Sequence, residues 1–347
     1  MSDTNFPLNH PMAVKRWANG LMKQALTQTH AMQFMGKDSN ALCQIKSDLS
    51  KDAGDRIRFG LRMQLVGDGV QGDATAEGQE EALEIYTDDL YIDQLRHAVR
   101  STGKMSEQRV PFEVRDEARD GLADWWANRI DTWFFNQLCG NTAQTDTKFT
   151  GNQAALAPDA DHIVYPGTTT SEAAISASTD QVMSLTLIDK AVEKAKLAAN
   201  PLRPIQVGNG KYFVMFLHTN QVYDLRTNTN TGQWLDIQKA AMSGGKVGDS
   251  PIFTGALGVY NGVVLHENTR VAQVVASTRR AVLAGAQAMG CAFGKGYGKG
   301  NFTWVEELFD YKNKLGVLAG SISGMKKLQY NGSDFASIVI PTRAVNH

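Results

Sequence analysis

The sequence has few cysteines and lacks the residue spacings of common metal and catalytic sites. Its three cysteines, Cys43, Cys139 and Cys291, are far apart and odd in number, which predicts reduced thiols in a cytosol. No Cys-x-x-Cys, His-x-x-x-His or Glu-x-x-His spacing occurs, so we expect no bound metal. No serine lies in a Gly-x-Ser-x-Gly elbow. This lowers the expectation of an enzyme without excluding one, because catalytic triads are assembled in space.

Long apolar runs and an excess of one charge are also missing. No run of about 18 apolar residues occurs, and the start MSDTNFPLNH lacks the basic and apolar regions of a signal peptide. We therefore expect a chain that is made and folded inside a cell. The 35 basic and 36 acidic residues give a formal net charge of −1. No overall charge therefore draws the chain to nucleic acid or to an anionic membrane.

Two glycine-rich segments resemble phosphate-binding loops but fail their requirements. Gly67–Gly72 matches G-x-G-x-x-G, yet acidic loop residues follow where a helix should start. Residues 290–300, GCAFGKGYGKG, have Gly296 after Gly294-Lys295, where a phosphate loop needs Ser or Thr. We expect turns at both places, with a backbone–phosphate contact as the alternative for the second, and no nucleotide cofactor.

The most regular pattern that is present predicts a long helix over residues 111–139. Pro111 suits the first turn of a helix, and Gly140 is typical of the position just past a helix end. The helix would be ~43 Å long at 1.5 Å per residue. An ordinary long core helix is the alternative interpretation. The apolar side chains at every fourth position are Val114, Ala118, Leu122, Trp126, Ile130, Phe134 and Leu138, widened by Trp125 and Trp133.

Two further elements are predicted before this helix. An amphipathic helix from Pro11 to about Phe34 has an apolar face, with Trp17 and Leu21, that lacks a partner nearby in the sequence. We expect this face to pack either on its own domain or on another subunit.

A hairpin follows this first helix. Strict alternation over residues 56–65 predicts a strand, and a second run over residues 83–92 changes phase at Asp88-Asp89. The two strands would form a long arm, ~33 Å for ten strand residues.

Charge is distributed unevenly along this arm. From Gly67 to Asp93 there are nine acidic residues and no Lys or Arg. A solvated loop explains this, and so does a surface for a basic partner. The span Arg270–His347, with ten basic residues against four acidic ones, is the predicted partner. The predicted inter-subunit contacts are Trp17, Leu21, Asp73, Glu77, Glu80, Glu81, Glu84, Asp88, Asp89, Lys326 and Lys327.

The rest of the chain mixes helices and strands, which predicts an α+β fold. Residues 141–180 are expected to form loops with short strands. Helices are predicted at Leu185–Ala199, Asn220–Arg226 and Gly232–Met242. Strands are predicted at Tyr212–His218, Leu257–Val264, Arg280–Ala286, Lys314–Ala319, Lys326–Tyr330 and Ala336–Ile340, with a turn at Asn331-Gly332.

The order of these elements resembles a known family. An N-terminal helix, a two-stranded arm and a long helix follow one another in the Hong Kong 97-type major capsid protein of tailed phages. The residues are most similar to the major capsid family of N-four-type podoviruses. The resemblance covers most of the chain, in Arg56–Gly72 (RIRFGLRMQLVGDGVQG), Ile92–Arg109 (IDQLRHAVRSTGKMSEQR), Trp125–Gly140 (WWANRIDTWFFNQLCG), His218–Arg226 (HTNQVYDLR), Pro251–Val271 (PIFTGALGVYNGVVLHENTRV) and Arg279–Gly285 (RRAVLAG).

The resemblance implies a domain plan. It comprises an N-terminal arm (1–50), an extended β-hairpin or E-loop (51–100), a P-domain with the spine helix (101–182 and 287–347) and an α/β A-domain (183–286).

The resemblance also implies a function. Copies would assemble into hexamers and pentamers of an icosahedral phage head that encloses double-stranded DNA without sequence-specific binding. A scaffolding protein and a portal are the implied assembly partners, together with a decoration protein, and no membrane is involved. Assembly would take place in the host bacterial cytoplasm. The alternative is a cytosolic α+β enzyme with an active site in residues 185–286.

Overall fold

The computed structural model describes residues 30–46, 54–110, 113–175, 181–227, 255–294 and 303–346, apart from Gln64, Val66, Ala74 and Ala199. Most of the predicted N-terminal helix, with Trp17 and Leu21, lies outside these residues. The predicted helix at Gly232–Met242 and Pro111, at the start of the predicted long helix, also lie outside them.

The described elements are as follows. The helices are α1 (His30–Gln33), α2 (Lys104–Gln108), α3 (Val114–Leu138), α4 (Thr147–Thr150), α5 (Leu185–Leu197) and α6 (Thr219–Thr227). The strands are β1 (Met35–Gly36), β2 (Cys43–Lys46), β3 (Arg56–Arg62), β4 (Ile85–Tyr91), β5 (Asp93–Arg100), β6 (Ile205–Val207), β7 (Gly210–Leu217), β8 (Ala256–Tyr260), β9 (Val263–Glu267), β10 (Thr278–Ala284), β11 (Met289–Phe293), β12 (Thr303–Phe309), β13 (Lys314–Lys327), β14 (Gln329–Tyr330), β15 (Ser333–Asp334) and β16 (Ser337–Arg343).

Two mixed sheets organise the chain, and the predicted α+β class is confirmed. The first sheet has the order β1-β2-β11-β13-β12, and β5 pairs with β13 as well. The second sheet has the order β16-β10-β7-β9-β8, and β6 pairs with β7. Strand β16, near the C-terminus, thus pairs antiparallel with β10. The pairing runs from Thr278 opposite Arg343 to Ala284 opposite Ser337.

The predicted long helix is present as α3. The apolar row from Ala118 to Leu138 is buried, and the whole last part of the helix from Ile130 onward is almost completely enclosed. Gly140 has a φ of 63°, as expected of a glycine that follows a helix end. The Arg280 guanidinium donates to the Cys139 carbonyl oxygen at 3.2 Å, so a side chain of the second sheet satisfies a free carbonyl at the helix end.

The predicted hairpin is confirmed as the pair β3–β4, with Arg56 opposite Tyr91 and Arg62 opposite Ile85. Its base is packed onto the body of the protein. Ile57, Phe59 and Leu90 are buried together with Leu328 and Tyr330. The hairpin is therefore anchored at one end, while its distal residues leave this cluster.

Several strands differ from the sequence prediction. Leu257–Val264 is a hairpin of β8 and β9, because Asn261 and Gly262 both have positive φ values (45° and 74°) and turn the chain. Two separate strands were predicted at Lys314–Ala319 and Lys326–Tyr330. The structure has one continuous strand, β13, over Lys314–Lys327, followed by the short strand β14. The central Gly320–Gly324 segment of β13 is rich in glycine and serine, yet residues 320–323 pair with β5 and Gly324 pairs with Ala292 of β11.

Other segments also differ. Residues 290–293, at the start of the turn that we predicted over 290–300, belong to β11 between β2 and β13. The described part of residues 141–175 contains short helical turns and one isolated bridge, Ile163 to Val339, in place of short strands.

Candidate interaction surface

The distal part of the hairpin is a strongly acidic, exposed surface. Every described residue from Leu65 to Ile85 is exposed. We call residues 67–84 the acidic tip. Its carboxylates belong to Asp68, Asp73, Glu77, Glu80, Glu81 and Glu84, and the tip contains no Lys or Arg.

Three of these carboxylates shape the loop. The backbone N–H of Gly67 donates to Glu81 Oε2 at 2.8 Å, which joins the two sides of the tip. The N–H of Gly78 donates to Glu80 Oε2 at 2.8 Å. The Tyr86 hydroxyl donates to Glu84 at 3.2 Å, and the negative charge of Glu84 raises the pKa of Tyr86.

The other three carboxylates are held by nothing in the described part of the chain. Asp68, Asp73 and Glu77 form no hydrogen bond and no ion pair with residues that the structure describes. Like charges this close repel one another, and water or a cationic partner must compensate them. The acidic tip therefore has the chemistry of a docking surface for cations.

Asp88 and Asp89, by contrast, hold the base of the hairpin inside their own subunit. Asp89 accepts from Arg58 Nε at 2.7 Å and from Arg56 at 3.3 Å, and the hydrogen bond from Arg58 lowers the pKa of Asp89. Asp88 forms an ion pair with Lys326 and accepts from the Gln329 backbone N–H at 3.1 Å. Asp88, Asp89 and Lys326, for which the sequence predicted contacts between subunits, thus have partners within their own subunit.

Lys327 requires the clearest correction. Its ammonium is completely buried and donates to Asp334 Oδ2 at 2.8 Å. Successive side chains of a strand point to opposite faces, so Lys326 and Lys327 cannot belong to one surface. Lys326 reaches the hairpin, whereas Lys327 points into the core and cannot meet a neighbouring subunit.

Three other cations in the predicted partner span also have carboxylate partners within the chain. Arg280 pairs with Glu172 at 2.7 Å, Arg270 lies 3.7 Å from the buried Asp131, and Lys314 pairs with Asp310 at 3.4 Å. Lys295 and Lys299 lie outside the described residues. This span therefore offers few available cations for the acidic tip.

The structure brings a second group of cations to one end of the first sheet, and only Lys312 among them belongs to the predicted partner span. We call Arg100, Lys104, Arg109 and Lys312 the basic end. All four are exposed, and none has an ion pair among the described residues. Lys104 and Lys312 are brought near each other because the Lys104 N–H donates to Asn313 Oδ1 at 3.4 Å.

A signal for the basic end was present in the sequence. The run from Arg96 to Arg109 contains four Lys or Arg and a single acid, Glu107. Arg100 additionally lies over the Phe309 ring, with its guanidinium carbon 5.2 Å from the ring centre.

In the region of the enzyme alternative, the structure describes residues 185–227, apart from Ala199, and 255–286, and these contribute many side chains to the core. His218 and His266 are buried, and Phe216 packs against Phe34, Phe134 and Phe135. No group of three potential metal ligands occurs within the described ranges. The three cysteines are buried thiols. Among the described helices, none is long and apolar enough to span a membrane.

Comparison with known proteins identifies the family. A model of the phage capsid protein family matches residues 5–346. The chain belongs to this family. The major capsid protein of Pseudomonas phage KPP25 is 28% identical over 349 residues, which cover 90% of this chain and 89% of that protein.

Solved capsid structures agree with this assignment. The capsid of Ralstonia phage GP4 has a chain that is 33% identical, with a TM-score of 0.85 and 99% of each chain covered. The capsid asymmetric unit of Cyanophage Pam1 has a TM-score of 0.76 at 19% identity, covers 99% of this chain and 100% of that one, and shows the shared fold. The chain is a major capsid protein, a structural component of the virion. The predicted function as a major capsid protein of a phage head shell is confirmed, and the comparisons give the enzyme alternative no support.

Proposed function

We propose that copies of this capsid protein assemble as hexamers and pentamers into an icosahedral head of the Hong Kong 97 type, closest to the N-four-type podoviruses. Double-stranded DNA is enclosed without sequence-specific contacts, which suits a formal net charge of −1. The observation that carries the proposal is the β3–β4 hairpin. It is anchored by the buried Ile57, Phe59 and Leu90, and it presents an exposed acidic tip that has no cation of its own.

The domain plan follows the same proposal. Residues 1–50 form the N-terminal arm, 51–100 the extended hairpin, 101–182 with 287–347 the P-domain, and 183–286 the A-domain. Helix α3 would serve as the spine of the P-domain, because it packs against β13 and β5 of the first sheet. Strand β16 belongs by sequence to the P-domain and pairs with β10 of the A-domain segment, so it would connect the two.

Two parts of the chain would make contacts between subunits. The N-terminal arm, with Trp17 and Leu21, docks on a neighbouring copy. The acidic tip, through Asp73, Glu77, Glu80, Glu81 and Glu84, meets cations of a neighbour. A scaffolding protein and a portal assist assembly in the host cytoplasm, and a decoration protein would bind the finished shell.

Negative-stain electron microscopy of the purified full-length chain tests this proposal. We expect closed shells, or rings of five and six subunits, in the images and in the void fractions of size-exclusion chromatography. A uniform small oligomer at all protein concentrations, in the presence and absence of a scaffolding protein, would contradict the proposed shell.

A further inference from the structure

A cavity of about 370 Å³ lies where the end of helix α5 meets the segment 159–163 and the β14–β15 turn. Lys194 of α5 spans one side of it, because its ammonium donates to the Ile163 carbonyl oxygen at 3.0 Å. No residue of the acidic tip or of the basic end lines this cavity. The lining residues include Asp161, His162, Lys194, Leu197, Asn200 and Ser333.

His162 contributes a buried polar atom without a partner. Its side chain is only 6% exposed, and its Nδ1 lies 2.8 Å from Asp159 Oδ1. The other ring nitrogen, Nε2, is buried and has no hydrogen-bond partner among the residues that the structure describes. An unpaired buried nitrogen costs free energy unless a water molecule or a ligand supplies its partner. The ring therefore offers one nitrogen to whatever fills the cavity.

Asp159 determines what His162 can bind. Asp159 also accepts from the Ser333 hydroxyl at 2.9 Å and from the Asp334 N–H at 2.7 Å. Burial disfavours its charge, but the hydrogen bonds from Asp334 and His162 lower the pKa of Asp159. The carboxylate therefore holds a proton on Nδ1 and compensates the charge of a protonated ring, whose Nε2–H then donates. With the Lys194 ammonium beside it, this ring can hold an anion.

The space available favours an organic anion over an inorganic one. A water molecule occupies about 30 Å³, so a small inorganic anion would fill little of the cavity. A second cavity of about 360 Å³ shares Asn200 and Ser333 with the first. Cavities of this size with apolar walls and a few charged groups are typical of small-molecule sites. The apolar and aromatic residues that line the second cavity are Leu61, Met63, Tyr86, Pro201, Tyr330 and Phe335.

We propose that the two cavities together bind a small organic carboxylate. Its head would lie between His162 and Lys194, and its apolar body would extend toward Pro201 and Phe335. Such a ligand would connect α5 to the β14–β15 turn and hold them in one arrangement. The site lies within a single subunit, so it does not depend on the proposed shell.

Asp161 separates an anionic ligand from a metal ion. Its side chain is exposed, lines the first cavity and forms no hydrogen bond or ion pair within the described part of the chain. Its charge repels a carboxylate head, whereas it would serve as a second ligand for a cation bound at His162 Nε2. Asp161→Asn should therefore strengthen the binding of an anion and weaken the binding of a metal ion.

Octanoate is the probe, titrated calorimetrically into unassembled full-length subunits. We expect one octanoate per subunit with a Kd of roughly 0.1 mM, a usual strength for about ten non-hydrogen atoms. Asp161→Asn should lower this Kd about three- to tenfold, because one repulsive charge is removed. Glu193→Gln removes an exposed carboxylate of α5 that does not line the cavity, and it should leave the Kd unchanged.

Two further variants should weaken binding. Leu197 is 76% exposed, so Leu197→Glu should fold normally and raise the Kd at least fivefold by placing a negative charge beside the head. Leu197→Gln is its neutral control and should bind like the wild type. His162→Gln keeps an N–H for Asp159 but loses the charged donor, so it should raise the Kd roughly tenfold. Circular dichroism checks that each variant is folded.

Three results would overturn the site. Folded wild-type subunits could show no saturable octanoate binding, or the Asp161 and Leu197 variants could bind like the wild type, which would place octanoate elsewhere. Octylamine could bind as tightly as octanoate, which would remove the role of His162 and Lys194. If Zn²⁺ binds instead and Asp161→Asn weakens it, the site belongs to a metal ion. The presence or absence of shells is measured separately, so none of these results decides the proposed function.

Discussion

The ammonium of Lys327 lies 2.8 Å from a carboxylate oxygen of Asp334, and both side chains are completely buried. Gln329 Nε2 donates to the second oxygen of Asp334 at 2.6 Å, so both oxygens of that carboxylate are occupied. Burial lowers the pKa of Lys327, and Asp334 partly offsets this effect. The pair fixes the end of β13 to the β14–β15 turn.

Removing one partner of the Lys327–Asp334 pair should destabilise the fold. We expect Lys327→Met to lower the free energy of unfolding by ~3–5 kcal/mol, because it leaves an uncompensated buried carboxylate. The double variant Lys327→Met with Asp334→Asn should lose less, since the amide still accepts from Gln329. Urea unfolding of unassembled subunits measures both, with Lys190→Met as an exposed control. Equal losses in the single and double variants would refute the importance of the unpaired charge.

Alanine substitutions at two glycines, one within the long helix and one just after it, should change the stability of the fold in opposite directions. Gly121 is exposed within α3 and has open space around it, so Gly121→Ala should stabilise the fold by ~0.5–1 kcal/mol. Gly140 has a φ of 63°, and a Cβ there would collide with the Leu156 carbonyl oxygen and with Pro158. Gly140→Ala should therefore destabilise by at least ~1–3 kcal/mol. The thermal unfolding temperatures of the two variants and the wild type measure both effects. An unchanged unfolding temperature for Gly140→Ala would contradict this turn geometry.

Stability should decrease in acid through His218. Burial and the nearby charge of Arg279 lower the pKa of His218 to about 4, from an ordinary value of 6.5. Below pH 6.5 the unfolded chain binds a proton that the folded chain refuses until about pH 4, so the free energy of unfolding falls across this window. The loss is at most about 3 kcal/mol.

His218→Asn isolates this contribution. The asparagine oxygen can still accept from the Asn220 N–H, which donates to His218 Nδ1 at 3.2 Å. We expect the variant to lose less stability than the wild type between about pH 7 and pH 4.5, as measured by urea unfolding. Parallel pH profiles for the two proteins would show that His218 is not the responsible group.

The N-terminal segment should be separable from the body at a defined place. Ala31 and Phe34 are buried, the N–H groups of His30 and Ala31 donate to the buried Asp131 at 3.0 and 2.9 Å, and Phe34 packs edge-on against Phe216. We expect deletion of residues 1–29 to leave a folded subunit that assembles poorly. Deletion of residues 1–34 should also destabilise the fold, by ~3–5 kcal/mol for the loss of a buried Phe.

Circular dichroism and electron microscopy of both truncations check this prediction. Normal shells from the shorter deletion would remove the N-terminal arm from the assembly contacts. Equal stability of the two deletions would show that Phe34 contributes nothing to the core.

Local patterns in the sequence predicted the elements that depend on local chemistry. The row of apolar residues in α3 and the turn glycine Gly140 specify a helix and its end without any tertiary contact. The alternation of Ile57 and Phe59 with arginines specifies one strand of the hairpin. In these cases burial follows directly from periodicity.

Elements that depend on distant partners were predicted less well. The Gly320–Gly324 segment of β13 has the composition of a turn, but residues 320–323 pair with β5. Gly324 must lack a side chain because a Cβ there would collide with the Tyr91 carbonyl oxygen. The partners of Lys326 and Lys327 are likewise set by strand alternation and by Asp88, which is 238 residues away in the sequence from Lys326. The strand predicted at Lys326–Tyr330 already implied opposite faces for the two lysines, but the sequence did not indicate which face is buried or which carboxylate each lysine meets.

A cryo-electron microscopy structure of the assembled wild-type particle tests the central claim most directly. The account predicts rings of five and six subunits in which Asp73 or Glu77 of each subunit lies within about 4 Å of a Lys or Arg of the neighbour in the same ring. A particle without such rings, or one in which every acidic tip folds back on its own subunit or faces solvent, would contradict it.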